Sequence, residues 1–325
     1  MCSIHALKVV THQRSMSRSI SRMDHRRGSC SDEPLSDRSR LVLGGRNVST
    51  LLGRLAALGV LATRPWPTRA ADNGKGSIVV LGSNGQTGKI IVNLLAQQGI
   101  NVTPTYARTP PSSAPSGSAI QEARVADVTD QESLTAAVAG ASAVIFAASA
   151  SKKGGNAEKV DFLGVKNVAE VCQASKIPRL VVISSGAVTR PRSLGFKITN
   201  LFGGIMGFKL KGEDAVREVY AGTDLGYSII RPGGLLSNAA LGAGKIELNQ
   251  RDTIAGEVNR ADVAECAVAA ATSKSLAGKK VTFEVYNADG GAPLESDLPK
   301  PSGYEQRGDS YETMFAGLKE GIDRL

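Results

Sequence analysis

The sequence predicts an α/β fold, a doubly wound and mostly parallel sheet with helices on both faces. Strand and helix patterns alternate from residue 77 onward, the signature of parallel strands joined by crossover helices. At the first strand-to-helix junction stand three glycines at three-residue spacing, Gly82-x-x-Gly85-x-x-Gly88. A turn of that kind, between an apolar strand and a helix of apolar period, reads as a dinucleotide cradle.

Taken in order, residues 78–81 form a buried-strand run, and residues 89–98 carry Ile90, Ile91, Leu94 and Leu95 at helical spacing. Gly82 permits the tight turn, Gly85 lets backbone N–H groups approach a pyrophosphate, and Gly88 lets the helix pack closely on the strand. The backbone of Gly82, Ser83, Asn84, Gly85, Gln86, Thr87 and Gly88 is therefore the candidate phosphate site, with the helix N-terminus supplying partial positive charge. A second strand is expected over 101–107, followed by a Pro/Ser loop over 109–118 that cannot be regular. A third strand ends at Ala126-Asp127, and Thr129 with Glu132 forms a capping box for the next helix. Strands at 143–148, 180–184, 227–231 and 281–286 and helices at 160–175, 212–220 and 262–271 follow. Asp309 with Glu312 opens a last helix.

Ligands of such sheets lie outside the carboxyl ends of the strands, which selects the remaining candidates. Arg108 closes the second strand, where an enzyme using NAD usually has an acid for the ribose hydroxyls. A guanidinium there would pair with the 2′-phosphate of NADP, so NADP(H) is favoured over NAD(H); the alternative is a solvated arginine. Asp127, with Val128, would receive the adenine amino group or simply make a turn. Ala147, Ala148 and Ser149 are small where a ribose must pass. Ser184 and Ser185 are polar groups at a strand end, Ser185 able to polarise a carbonyl or both simply satisfying backbone groups of a turn, and Pro232-Gly233 would let a nicotinamide ring lie against the backbone or make a β-turn. Residues 196–208, apolar among Gly203, Gly204 and Gly207, read as a mobile flap, as a docking surface for a membrane or partner, or as core beneath a long loop.

Composition removes several classes. The formal charge of +9 is almost wholly N-terminal: residues 1–71 hold twelve basic and four acidic side chains, leaving the remainder near neutral. Nucleic-acid binding is not indicated. That Ser- and Arg-rich, acid-poor segment has the composition of an organelle transit peptide, expected over 1–72, with a disordered regulatory tail as the alternative. Its apolar run is interrupted by Arg54 and is too short to span a bilayer. All three histidines lie there, so residues 73–325 can hold neither a Ser-His-Asp triad nor a histidine metal site. Cys172 and Cys266 sit in apolar helical patterns and read as buried hydrophobes.

The order of the glycine motif, Arg108, Asp127, Val160-Asp-Phe-Leu-Gly-Val-Lys-Asn167, Val181-Val-Ile-Ser-Ser185, Lys209-Leu-Lys-Gly-Glu213, Tyr227-Ser-Ile-Ile-Arg-Pro-Gly233 and Arg260-Ala-Asp-Val-Ala264 resembles the atypical short-chain dehydrogenase/reductases. It looks most like the NAD(P)-binding, NmrA-like branch of plants, algae and cyanobacteria. The resemblance implies a Rossmann core over 73–325, with a small substrate lobe formed mainly by 190–212, 235–260 and 288–325. It also implies plastid localisation, mitochondria being the less favoured organelle. Standard members pair a tyrosine with a lysine four residues on, the tyrosine exchanging a proton with the substrate. No tyrosine here has that lysine. Aligning Glu213 with the family makes Lys209 the ribose-binding lysine and puts Ile205 at the tyrosine position; read from spacing alone, Lys209 is one charge on a solvated helix face with Lys211 and Glu213. Two functions follow: an NADP-dependent oxidoreductase or isomerase acting on a small apolar carbonyl or quinone-like molecule, or a non-catalytic NADPH-binding assembly or redox-sensing protein with a protein partner.

Overall fold

The alternating apolar runs assemble into one eight-stranded sheet. The computed structural model describes residues 76–150, 155–201 and 203–324; the presequence expected over 1–72 lies outside them. In chain order the elements are β1 (Ile78–Leu81), α1 (Gln86–Gln97), β2 (Val102–Tyr106), β3 (Arg124–Val125), α2 (Gln131–Val138) and β4 (Ala143–Phe146). A π-helix (Glu158–Gly164) then runs directly into α3 (Val165–Ala174), followed by β5 (Arg179–Ile183), α4 (Leu194–Asn200), α5 (Ile205–Tyr220) and β6 (Gly226–Pro232). The chain continues through β7 (Gly234–Leu236), β8 (Ile246–Asn249), β9 (Ile254–Ala255), β10 (Glu257–Asn259), α6 (Arg260–Thr272), β11 (Lys280–Asn287), β12 (Ala292–Pro293) and α7 (Tyr311–Ala316).

The sheet order is β3-β2-β1-β4-β5-β6-β11-β8, parallel throughout except for β8, which pairs antiparallel with β11. The chain leaves β1 for β2 on one side and returns to β4 on the other. The switch point, and with it the ligand crevice, therefore falls at the glycine turn after β1. Helices α1, α6 and α7 pack on one face and α2, α3 and α5 on the other, each against its own apolar cluster. Strands β1 and β4 are buried along their whole length, as a central strand covered on both faces must be. Cys172 and Cys266 are fully buried, and burial pushes the Cys172 thiol up to about 12, which keeps it protonated and unreactive.

Several expectations need correction. Helix α5 begins at Ile205 rather than at residue 212, and α4 precedes it, so the segment read as a flap, a docking surface or core beneath a long loop is largely helical. Glycines at 203, 204 and 207 concealed the helical period; Gly203 and Gly204 make the left-handed turn between the two helices. Phe202 lies outside the described residues. Asp130, not Thr129, caps α2, accepting from the Glu132 N–H at 3.0 Å, because Thr129 is spent on Asp127. Ser310, not Asp309, caps α7, and the Glu312 carboxylate instead takes the N–H groups of Lys274 and Ser275. Helix α6 starts at Arg260, which buries Asp262 in its first turn, where it accepts from the Leu241 and Gly242 N–H groups. The antiparallel strand β8 carries no period of its own in the sequence.

Candidate functional site

The glycine turn is built by steric necessity. Gly82 has φ +89°, a left-handed conformation, and a Cβ there would lie 2.7 Å from the Ala148 nitrogen at the end of β4. At Gly88 a Cβ would lie 2.2 Å from the Gly82 carbonyl oxygen, so α1 can approach β1 only with glycine at that position. Gly85 is the N-cap of α1 and offers no side chain to the first turn, leaving the N–H groups of Gln86, Thr87 and Gly88 for an anion. This cradle, which a methyl group would fill, fits a dinucleotide pyrophosphate. Ser83 serves the sheet instead. Its buried hydroxyl donates to the Val80 carbonyl at 2.9 Å and accepts from the Thr105 N–H at 3.0 Å, stitching β1 to β2.

Beside the cradle a cavity of about 210 Å³ is lined by Ser83, Asn84, Lys89, Asn93, Tyr106 and the Pro/Ser loop at Pro111, Ser113 and Pro115. Lys89, in the first turn of α1, is the cation in its wall; Arg108 is exposed two residues beyond the end of β2. The sequence reading missed Lys89, although its place directly after the third glycine fixes it on that turn. Asp127 makes a turn, one carboxylate oxygen accepting the Thr129 N–H at 2.9 Å and its hydroxyl at 2.8 Å. Val128 packs over Gly164 of the π-helix, and its carbonyl accepts from Asn167 at 3.0 Å.

At the ends of β4 and β5 the structure brings Ser149, Lys209 and Ser184 together around two buried acids. Asp161, fully buried in the π-helix, accepts the Ser149 hydroxyl at 2.8 Å and the Ala150 N–H at 2.9 Å, and it pairs with the Lys209 ammonium at 2.8 Å. Lys209 is therefore not a solvated surface charge; its side chain is only 12 % exposed. Gly212 makes the approach possible, since a Cβ there would lie 2.3 Å from the Asp161 carbonyl oxygen. The second acid, Glu213, accepts the Ser184 hydroxyl at 2.6 Å and grips Arg231 through both oxygens, at 3.1 and 2.7 Å. Burial alone would push its carboxyl up, but Arg231, with Arg217 and Ser184 adding to it, holds Glu213 down at about 2. Glu284 faces the same Arg231 through a single contact at 3.2 Å and leaves its other oxygen unpartnered; burial wins there and pushes the carboxyl up to about 8.

A small cavity of about 10 Å³, the size of one water, lies between Asp161, Ser184, Lys209 and Glu213. Ser184 is committed to Glu213, whereas the Ser185 hydroxyl makes one longer bond, 3.2 Å, to the Gly186 carbonyl. Ser185 is thus the serine with capacity to spare. Ile205 lies one helical turn before Lys209, half-buried against Ala187, Val188 and Met206, with no proton to donate. Pro232 and Gly233 close β6. The Pro232 carbonyl accepts from Gly186, and a Cβ on Gly233 would lie 1.9 Å from the Gly256 carbonyl oxygen. Asp252 ties down the stretch after Ser185 by accepting the N–H groups of Ala187 and Thr189. Ala187, Arg251 and Asp252 all have positive φ, so strained backbone is concentrated at this junction.

A family model described as NAD(P)H-binding matches residues 82–274. An uncharacterized chloroplastic protein of Arabidopsis thaliana is 29 % identical over 260 residues, covering 74 % of this chain and 82 % of its own. The chloroplastic protein TIC 62 of Oryza sativa subsp. japonica is 27 % identical over 173 residues; the match covers 50 % of this chain but only 33 % of that longer protein. Both are chloroplastic, in agreement with the plastid localisation expected from the sequence. Among solved structures, the oxidoreductase ylbE from Lactococcus lactis shares the fold with a TM-score of 0.55 at 20 % identity, covering 65 % of this chain and 91 % of its own. The chain belongs to the NAD(P)H-binding family, among the atypical short-chain dehydrogenase/reductases whose motifs it carries in order.

Proposed function

We propose that the protein is an NADP(H)-dependent oxidoreductase or isomerase of the plastid, acting on a small apolar carbonyl or quinone-like substrate. The observation that carries this reading is Lys209, drawn by a fully buried carboxylate to the carboxyl end of the sheet, where the family places a nicotinamide ribose. When bound, the nicotinamide supplies or accepts a hydride. The chain does the rest. The backbone around Gly85 holds the phosphates, Lys209 holds ribose hydroxyls, Ser185 polarises a substrate oxygen, and Pro232-Gly233 backs the ring. The lobe built from residues 190–212, 235–260 and 288–325 covers the substrate, and residues 1–72 act as the transit peptide.

Lys89 in the wall of the cavity and Arg108 at the adjoining strand end support a preference for NADP(H), since among the described residues no carboxylate lines that cavity. Calorimetry on the purified chain is expected to show tighter binding of NADPH than of NADH. Charge-assisted hydrogen bonds contribute about 1.5–3 kcal/mol, so Arg108→Ala or Lys89→Ala should each reduce the preference roughly 10- to 100-fold. Equal affinities in the unaltered chain would overturn the assignment.

The second reading, an NADPH-sensing or assembly protein without turnover, is favoured by the apolar Ile205, four residues before Lys209, where the resemblance puts the proton donor. Ile205→Tyr separates the two. Under the catalytic reading, the new phenol beside Lys209 should raise NADPH oxidation with small quinones or aldehydes at least about tenfold, a modest share of what a positioned acid supplies. A variant that folds and binds NADPH without any gain, while Lys209→Ala leaves NADPH affinity unchanged, rejects the role given to Lys209.

A further inference from the structure

Three large apolar side chains, two on α4 and one on the residue that ends it, face solvent. Leu194 is 71 %, Ile198 53 % and Leu201 82 % exposed. Spaced four and three residues apart, and with Leu201 still in helical conformation, they fall within a single stripe about 60° wide. Phe196 points the opposite way and anchors the helix on Ala187, Val188 and Met206. The stripe is therefore held outward by a packed underside.

Within its own segment the charge has one sign, the acids Glu295 and Asp297 coming from a distant stretch and meeting Arg192 alone. From Gly186 to Gly212 the chain carries five basic residues and no acid. Arg192 is paired with Glu295 and Asp297, and Lys209 with Asp161. Arg190 bonds only to the carbonyls of Arg251 and Asp252, and Lys211 lies over the rings of Phe162 and Phe208. Lys197, on α4 itself, borders the apolar stripe and is exposed. Among the described residues, none of these last three cations is paired with a carboxylate.

We propose that α4 and its cationic surround dock the protein peripherally on an anionic lipid bilayer. Apolar side chains projecting beside cations fit the boundary between headgroups and acyl chains. A stripe of three side chains is far smaller than the roughly 800 Å² per partner of a stable protein interface, which disfavours a second copy or a protein groove as occupant.

The test uses the full chain with Cys2 and Cys30 replaced by serine, so that an Ile198→Cys variant can be labelled there with an environment-sensitive fluorophore; Cys172 and Cys266 are buried. The probe's emission should shift to the blue on vesicles of phosphatidylcholine with phosphatidylglycerol, much less on phosphatidylcholine alone, and the shift should weaken with salt. Each cation near such a surface multiplies partitioning roughly fivefold, so Lys197→Glu should weaken it about 30-fold. Leu194→Ser with Leu201→Ser should weaken it at least about tenfold while leaving the circular dichroism spectrum and the melting temperature unchanged. Vesicle binding with a probe that stays aqueous would assign the anchor to the basic N-terminal segment and overturn the proposal. A blue shift that grows with protein concentration in the absence of vesicles would assign the stripe to a second copy, and no vesicle binding at all would also overturn it.

Discussion

Glu213→Ala is expected to lower the melting temperature by about 10 °C, whereas Glu284→Gln, which alters the other carboxylate facing Arg231, should be neutral or stabilising near pH 8. Arg231 is fully buried and depends on Glu213 for two of its hydrogen bonds. Removing one member of a buried, hydrogen-bonded charge pair costs about 3–5 kcal/mol, because the partner is left uncompensated. In a domain of this size each kcal/mol moves the melting point by about 2–4 °C. The two acids also predict opposite pH dependences. Glu213 sits below its ordinary value of 4.5, so its contribution is present above that pH and is lost as pH falls toward 2. Glu284 sits above the same ordinary value, so its contribution is complete below 4.5 and is lost as pH rises toward 8. Chemical denaturation between pH 5 and 8 should show the Glu284 slope in the unaltered chain and its absence in Glu284→Gln. Equal destabilisation by both substitutions at pH 8 would mean that the two carboxylates share Arg231 evenly.

Gly88→Ala should abolish useful nucleotide binding, lowering NADPH affinity by at least about 100-fold. The added methyl would meet backbone, the Gly82 carbonyl oxygen at 2.2 Å and its carbon at 2.9 Å, so no side-chain rotation relieves it. Displacing the turn forfeits at least two charge-assisted bonds from backbone N–H to phosphate, each about 1.5–3 kcal/mol, with overpacking adding about 1–3 kcal/mol to the cost of folding. The same substitution at Gly207, inside α5, meets nothing within 4 Å. It should leave affinity unchanged and stabilise the helix by up to about 1 kcal/mol. Isothermal titration of both variants checks the contrast; normal NADPH affinity in Gly88→Ala would remove the glycine turn from the nucleotide site.

The parts of the fold set by local rules were legible in the chain. The glycine turn, the buried parallel strands and the apolar setting of both cysteines follow from spacing and period alone, and each has its counterpart in the structure. The parts set by three-dimensional charge balance were not. Glu213 stands between Lys209, Lys211 and Arg217 in the sequence and looks like one charge of a solvated helix face, yet its neutralising partner Arg231 lies on a strand eighteen residues away. Asp161 is a lone acid in an apolar helical run, and only the packing of α5 across it shows that it faces Lys209. Helix α4 was hidden for the opposite reason: its exposed leucines and flanking glycines resemble a loose loop, and the inward Phe196 that orders it is a single residue. The edge strand β8 was missed because its antiparallel pairing with β11 depends on distant residues.

The π-helix before α3 makes the site depend on the length of the chain that leads into it. A π-turn holds one residue more than the α-turn it replaces. Deleting that residue would turn the preceding segment by about 100° relative to α3 and swing Asp161 away from Lys209. Among relatives, then, an aligned lysine alone does not identify the same apparatus. The length of the segment between β4 and α3 has to be kept as well, because a one-residue deletion there would leave the lysine without its anchoring carboxylate.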